Sequence, residues 1–161
     1  MKKRLSIVAV LIAICTLFSV FVGCFQAPQD KEFSKAGMTI TLTNEFTEQE
    51  IVTQTAYYVS AKAIVTVLKE EGSVVGNYSV GEYARLVCSF NNLDSSSVVV
   101  KETYAEFTYE KELSGKEYYY YARCLKNGSD YWLIQFACET KNAEAYQANF
   151  ETWANSVTFA V

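Results

Sequence analysis

The stretch EYYYYARCLKNGSDYWLIQFACE, residues 117–139, decides the fold because two runs of strand-forming residues flank a turn signal. The runs 117–126 and 130–139 are rich in aromatic residues, and Asn127-Gly128-Ser129 separates them. If all three separating residues turn, one face of the hairpin collects the apolar side chains of both strands. These side chains are Tyr118, Tyr120, Ala122, Cys124, Trp132, Ile134, Phe136 and Cys138. The sequence therefore predicts a β-hairpin in this register.

Further strands are predicted on the N-terminal side of the hairpin. Residues 38–43 alternate apolar residues with Thr, which is typical of a half-buried strand. Residues 98–112 are predicted to form one strand, which Ser114-Gly115-Lys116 connects to the hairpin. Residues 56–71 are rich in Tyr, Val and Ile, which favours two strands with a tight turn near 60–62 but is also compatible with one helix.

Two amphipathic helices complete the predicted domain. Ser79 and Glu82 have the spacing of a capping box, and apolar residues recur behind them at helical spacing to about Asn91. Asn142 is predicted to cap a second helix with an apolar stripe at Ala143, Tyr146, Phe150, Trp153 and Ala154. Sequential hairpins with two such helices indicate a single α+β domain over 35–161, an antiparallel β-sheet with both helices packed on it.

The N-terminus contains the parts of an export signal. Residues 2–4 are basic, residues 5–22 are uncharged and apolar, and Gly23 precedes Cys24. Cys24 resembles the lipobox cysteine of bacterial lipoproteins, which implies cleavage of a 1–23 signal peptide and attachment of diacylglycerol, with palmitate-type acylation, to the Cys24 thiol. An uncleaved transmembrane anchor is the alternative. Both interpretations place the domain on the extracytoplasmic face of the cell membrane, with 24–34 as a lipidated tether.

Composition excludes several classes of function. The 161 residues include 14 basic and 18 acidic residues and no His, so His-based metal sites and Ser-His-Asp or Cys-His nucleophiles are impossible. The first 23 residues carry three basic and no acidic residues, which leaves 11 basic against 18 acidic residues and a net charge of −7. This balance argues against nucleic acid as a partner and favours a basic one.

Several stretches resemble the PsbP/Mog-like fold. They are the Gly-led strand 37–42, the helix start Ser79-Val80-Gly81-Glu82-Tyr83-Ala84, the tyrosine-rich hairpin and the closing run 150–159. DcrB-like bacterial lipoproteins are similar in kind. The resemblance covers about residues 33–160 and implies an α/β/α sandwich around an antiparallel sheet. It also implies an accessory, assembly or partner-binding protein, and it brings no catalytic residues.

The thiols of the mature domain are Cys88, Cys124 and Cys138. In the predicted hairpin Cys124 and Cys138 are separated by roughly 20 Å along the strands, and a disulfide needs Cα atoms about 4.4–6.8 Å apart. No disulfide is therefore predicted between them, and whether Cys88 approaches either one stays open. Without a C-x-x-C spacing, no metal site is expected either, and three buried reduced thiols are the favoured interpretation.

Tyrosines offer the main candidate binding surface. Strand alternation places Tyr119 and Tyr121 on the face opposite Tyr118 and Tyr120, and together with Tyr131 they are a possible site for a sugar or peptide. The other interpretation is that helices cover both faces of the sheet, so that these rings belong to the core.

Two functional hypotheses follow. The first is a membrane-tethered, non-enzymatic accessory module that recruits a protein partner, and the second is a lipoprotein that binds a small solute or glycan through the tyrosine-rich surface. No phosphate-binding glycine loop occurs, Asp and Glu are scattered, and the run Ser95-Ser96-Ser97 has no base beside it, so no catalytic residue and no cofactor are expected. A solute-binding protein would need a pocket of about 300–1,000 Å³ with convergent polar groups.

Overall fold

The computed structural model describes residues 27–160, so the predicted signal peptide and Cys24 lie outside the described residues. The strands are β1 (Asp30–Lys35), β2 (Met38–Thr43), β3 (Thr47–Glu48), β4 (Ala56–Val59), β5 (Ala63–Glu70), β6 (Val99–Val100), β7 (Tyr104–Leu113), β8 (Lys116–Asn127), β9 (Asp130–Glu139) and β10 (Thr158–Phe159). The helices are α1 (Gly72–Val75), α2 (Val80–Phe90) and α3 (Ala143–Asn155), with short 3₁₀ turns at Ser95–Ser97 and Thr140–Asn142.

Two antiparallel sheets organise the domain. The large sheet has seven strands in the order β3-β4-β5-β9-β8-β7-β6, and the small sheet has three in the order β1-β2-β10. The small sheet was not predicted from the sequence. Its first strand includes residues 30–34, which belong to the predicted tether 24–34. Both ends of the described chain therefore pair with β2.

The large sheet is covered on both faces. Helix α3 and the small sheet pack on one face, with a core of Met38, Ile40, Leu42, Val65, Trp132, Ile134, Phe136, Phe150 and Trp153. Helix α2 packs on the other face, with a core of Tyr83, Ala84, Val87, Cys88, Ala105, Phe107, Cys124, Tyr131 and Leu133. This arrangement confirms the predicted α+β class. None of the helices within residues 27–160 is long and apolar enough to cross a membrane.

The helix predictions are confirmed, except for one cap. Ser79 Oγ accepts a hydrogen bond from the backbone N–H of Glu82 at 3.3 Å, and the Glu82 carboxylate accepts one from the N–H of Ser79 at 2.8 Å. This is the predicted capping box of α2. Asn142 makes no side-chain capping bond to α3, because the 3₁₀ turn Thr140–Asn142 leads directly into that helix.

Two strands, not one helix, occupy residues 56–71. Strands β4 and β5 pair through a tight turn in which Ser60 Oγ accepts a hydrogen bond from the N–H of Ala63 at 3.0 Å. Residues 98–112 are also two strands, since β6 turns back on β7 and the N–H of Lys101 donates to the carbonyl of Tyr104 at 2.8 Å. The prediction of a single strand there was wrong because Lys101-Glu102-Thr103 contains no Gly, Pro or Asn to indicate a turn.

The β8–β9 hairpin forms, but its predicted register is wrong by one residue. Asn127 pairs with Asp130, which leaves a two-residue turn with Gly128 at φ 60°. Cys138 therefore lies opposite Tyr119 instead of Tyr118. Because side chains alternate along a strand, this shift moves every β8 side chain to the other face relative to β9. Arg123 lies on the same face as Trp132, Ile134 and Phe136 as a result.

Candidate functional site

The three tyrosines of the predicted binding surface do not form a common surface. Tyr119 is half-buried and stacks on Phe150 of α3, with ring centroids 6.4 Å apart. Tyr121 is 4% exposed on the same face of the sheet, and Tyr131 is 0% exposed on the opposite face. The register shift explains the separation of Tyr131 from the other two. Burial on both faces agrees with the interpretation that these rings belong to the core.

Tyr131 fixes the chain that leads into α2. Its ring stacks on Tyr83 of the helix at 4.6 Å. Its hydroxyl accepts a hydrogen bond from the N–H of Tyr78 at 2.6 Å and lies 2.7 Å from the Tyr78 carbonyl. A phenol with these partners in the core satisfies backbone groups that burial would otherwise leave unpaired.

Tyr121 belongs to a buried polar network around Arg123. The Arg123 guanidinium donates to the Tyr121 hydroxyl at 2.6 Å, to the Glu106 carboxylate at 3.2 Å and to Asn155 Oδ1 at 2.5 Å. It also lies 4.0 Å from the ring centre of Tyr104. Burial raises the pKa of Tyr121, and the hydrogen bond to Glu106 raises it further. The network joins β7, β8 and the end of α3.

The three described thiols are free and buried. Cys88 and Cys124 lie in the core under α2, whereas Cys138 lies in the core under α3. Burial raises the pKa of the Cys88 and Cys138 thiols to about 11 and that of Cys124 well above its ordinary value. These thiols are therefore protonated at neutral pH, and a protonated thiol is a poor nucleophile. Within residues 27–160, no group of three His, Cys, Asp or Glu residues could hold a metal ion.

An open strand edge is the candidate site that the sequence did not indicate. On one side β7 pairs with β8 along its whole length, from Tyr104 to Leu113. On the other side, among the described residues, it pairs with β6 only at Ala105 and Glu106. Among residues 27–160, no strand lies beside the backbone groups of residues 107–113 that point away from β8. Such an edge can accept a further strand.

Strand β6 is held against α2 at the start of this edge. Gly81 makes the approach possible, since a Cβ atom at this position would lie 2.8 Å from Cγ2 of Val100. Val99 and Val100 are both 47% exposed. Apolar side chains thus border the β6 end of the open edge.

Charged side chains line the other part of the edge. Thr108, Glu110 and Glu112 alternate on one face of β7 and are exposed, and Lys111 is exposed on the other face. The edge ends at an open cleft of about 570 Å³ that is lined by Glu112, Gly115, Lys116, Glu117, Glu139, Thr140 and Lys141. This arrangement gives a backbone edge with acidic side chains and a polar cleft at its end.

Ion pairs hold the charged side chains of the cleft in place. Glu139 pairs with Lys141 at 2.5 Å and with Lys116 at 3.1 Å. These two lysines hold the pKa of Glu139 below its ordinary value. The carboxylate therefore stays charged at neutral pH, and the cleft contains fixed charges of both signs.

Comparison with known proteins shows likeness at the level of structure alone. No protein-family model matches the chain, and no curated protein matches it. Among solved structures, the Ran-binding protein Mog1p of Saccharomyces cerevisiae has a TM-score of 0.58 at 11% identity, over 83% of this chain and 96% of Mog1p. LpqN of Mycobacterium tuberculosis has a TM-score of 0.55 at 8% identity, over 84% of this chain and 93% of LpqN.

A larger protein contains the same architecture. A protein from Bacteroides thetaiotaomicron VPI-5482 has a TM-score of 0.57 at 16% identity, and the match covers 83% of this chain. The chain spans about half the length of that protein, since 49% of it is covered. At these identities the likeness concerns the fold and carries no residue roles. The chain has the PsbP/Mog1-like fold, as its sequence motifs predict.

Proposed function

We propose that this protein is a membrane-tethered, extracytoplasmic accessory module that binds a protein partner by strand addition at the open edge of β7. The observation that carries the proposal is the unequal pairing of β7, which is complete toward β8 and limited to Ala105 and Glu106 toward β6. A partner segment in extended conformation would hydrogen-bond to the free backbone groups of residues 107–113.

The charged side chains of β7 indicate which residues the partner segment should carry. Glu110 and Glu112 project from one face of the edge, and positions opposite each other on neighbouring strands interact directly. Opposite charges are favourable at such positions, so the segment should carry Lys or Arg at alternate residues. The net charge of −7 calculated for residues 24–161 also favours encounter with a basic partner.

The roles of two structural neighbours are compatible with an accessory module. Mog1p is a Ran-binding protein, and LpqN is involved in cell envelope biogenesis. The proposal transfers only the class of role, a non-enzymatic partner-binding module at the cell envelope, and assigns no catalytic residue. The lipid anchor at Cys24 rests on the sequence motif alone.

A peptide cross-linking experiment tests the strand-addition site. A photo-cross-linker placed at exposed Thr108 of the full-length chain in nanodiscs should capture a short peptide that alternates Val and Lys. The matched control carries the cross-linker at exposed Gln147 on α3 and should capture several-fold less. Charge reversal by Glu110→Lys and Glu112→Lys should abolish most of the capture at Thr108, because like charges oppose pairing.

Two outcomes would contradict the proposal: equal capture at Thr108 and Gln147, or unchanged capture by the charge-reversed chain. The tether is tested separately by mass spectrometry of the protein extracted from membranes. A mature N-terminus at an acylated Cys24 is expected, and an unmodified Met1 would refute the lipobox interpretation without affecting the edge.

A further inference from the structure

A second site lies on the other side of the domain, between α3 and the loops that follow β2 and β4. It is a cavity of about 290 Å³, lined by Pro28, Thr43, Glu45, Phe46, Ser60, Tyr146, Asn149 and Trp153. None of these lining residues belongs to the β7 edge. The volume of the cavity is close to the lower limit for sites that bind small molecules.

Three aromatic rings form the apolar wall of this cavity. Phe46 meets Trp153 nearly at a right angle, with ring centroids 5.1 Å apart and an interplanar angle of 87°. Tyr146 meets Trp153 at 6.2 Å and 65°. The rings therefore border the cavity in different orientations and do not lie in one plane. Tyr146 is the most accessible of the three, and an aromatic ring attracts an organic cation through its negative face.

Oxygen atoms complete the lining. The Glu45 side chain is exposed beside the rings, and its negative charge is near enough to Tyr146 to raise that residue's pKa, after the larger effect of burial. Thr43 Oγ1 is buried and has no hydrogen-bond partner among the described residues. This hydroxyl is closed off from the cavity, so the acceptor that a ligand there can reach is the exposed carboxylate of Glu45.

We propose that this cavity binds a small organic ammonium ion that carries N–H groups. The Tyr146 and Trp153 rings would contact its carbon atoms and its positive charge, and the Glu45 carboxylate would neutralise that charge and accept an N–H hydrogen bond. Among the described residues, the cavity has no Lys or Arg in its lining, which disfavours an anionic ligand. No residue of the β7 edge takes part.

The cavity lies near the point where the chain would leave the membrane. The N–H of Asn44 donates to the carbonyl of Gln29 at 2.7 Å, and the N–H of Gln29 donates to Asn44 Oδ1 at 3.1 Å. These bonds hold Pro28 at the cavity. Cys24 is four residues earlier, a distance of roughly 15 Å or less. The ammonium group can therefore come from a soluble amine or from a lipid headgroup.

Nuclear magnetic resonance of the tryptophan indole groups tests this proposal. The chain has two Trp residues, and Trp153 lines the cavity while Trp132 does not. In nanodiscs of phosphatidylglycerol, which has no ammonium group, millimolar ethanolamine should shift the Trp153 indole signal and leave that of Trp132 unchanged. Ethylene glycol, its neutral analogue, should shift neither, and choline should bind more weakly because it has no N–H.

Two variants distinguish binding in the cavity from a general effect of the solute on the protein. Glu45→Gln should weaken ethanolamine binding by about threefold, as expected for the loss of a solvent-exposed charge contact. Glu144→Gln, an exposed change on α3 outside the cavity, should leave binding unchanged. If ethanolamine shifts no indole signal, if ethylene glycol acts equally, or if Glu45→Gln has no effect, the proposal is wrong.

Lipid composition identifies the source of the cation. If nanodiscs of phosphatidylethanolamine already shift the Trp153 signal and free ethanolamine adds nothing, the ligand is a lipid headgroup. If free ethanolamine produces the shift in both kinds of nanodisc, the ligand is a soluble amine. Either result supports the ammonium site.

Discussion

Among single residues, Arg123 is a charged side chain inside the core, and its contacts link several elements. It is 3% exposed, yet its guanidinium has Glu106 as a charged partner and Tyr121, Asn155 and Tyr104 around it. Burial of an unpaired charge would be strongly unfavourable, so this set of contacts makes an arginine possible on the apolar face of β8. The same contacts couple the sheet to the end of α3.

Removal of the guanidinium should therefore destabilise the whole domain. For Arg123→Ala we expect the free energy of unfolding to fall by about 3 kcal/mol, since the change leaves a void and removes the partner of a partly buried carboxylate. Urea unfolding measures this difference. The matched control, Lys62→Ala, changes an exposed side chain and should alter stability by less than about 0.5 kcal/mol. Equal stability of the two variants would show that Arg123 is not held as described.

At the scale of elements, the turn between β8 and β9 sets the arrangement of the large sheet. Gly128 has φ 60°, a conformation that L-amino acids with a side chain adopt at a cost. With Gly128 and Ser129 as the two loop residues, Asn127 pairs with Asp130, and every later pair follows. A three-residue turn would place Arg123 on the α2 face, away from its partners.

Gly128→Ala should lower the free energy of unfolding by about 1–2 kcal/mol through backbone strain. No atom lies within 4 Å of a Cβ atom built at this position, so steric clash contributes nothing. Thermal unfolding of this variant beside Ser129→Ala, an exposed change in the same turn, measures the effect. A Gly128→Ala protein as stable as the Ser129→Ala control would contradict a positive φ at residue 128.

At the scale of the whole molecule, buried thiols make stability depend on alkaline pH. Burial, with a smaller effect of Asp94 on Cys88 and of Glu139 on Cys138, raises both thiol pKa values from 9.0 to about 11. Between these two values an unfolded thiol has lost its proton, whereas the folded thiol keeps it. The unfolded state is therefore favoured increasingly as pH rises through this range.

We expect the free energy of unfolding to be insensitive to these thiols below pH 9 and to decrease between pH 9 and 11. The double variant Cys88→Ala and Cys138→Ala should show a smaller decrease over the same range. Chemical denaturation at a series of pH values measures both slopes. Cys124 and the buried tyrosines remain in both proteins and contribute the residual slope; among the tyrosines, burial raises the pKa of Tyr58 and Tyr120 from 10.0 to about 12. Parallel slopes for the two proteins would refute the assignment to the thiols.

The sequence alone determined the kinds of elements and much of their extent. The capping box at Ser79 and Glu82, the apolar stripe of α3 and the presence of a turn near Gly128 are local patterns, and each depends on residues within one or two turns of chain. Together with the resemblance to the PsbP/Mog-like fold, they were sufficient for the α+β class. The acylation motif at Cys24 also comes from the sequence alone.

The strand register, the small sheet, the open edge of β7 and the aromatic cavity could not be predicted from the sequence. Each of these depends on contacts between residues far apart in the chain, such as Arg123 with Asn155 or Phe46 with Trp153. The apolar pattern of β8 favoured the register that excludes Arg123 from the core, because hydropathy cannot indicate that a charge will find partners on another element. An unpaired edge is equally invisible in the sequence, since it is defined by a neighbouring strand that ends early.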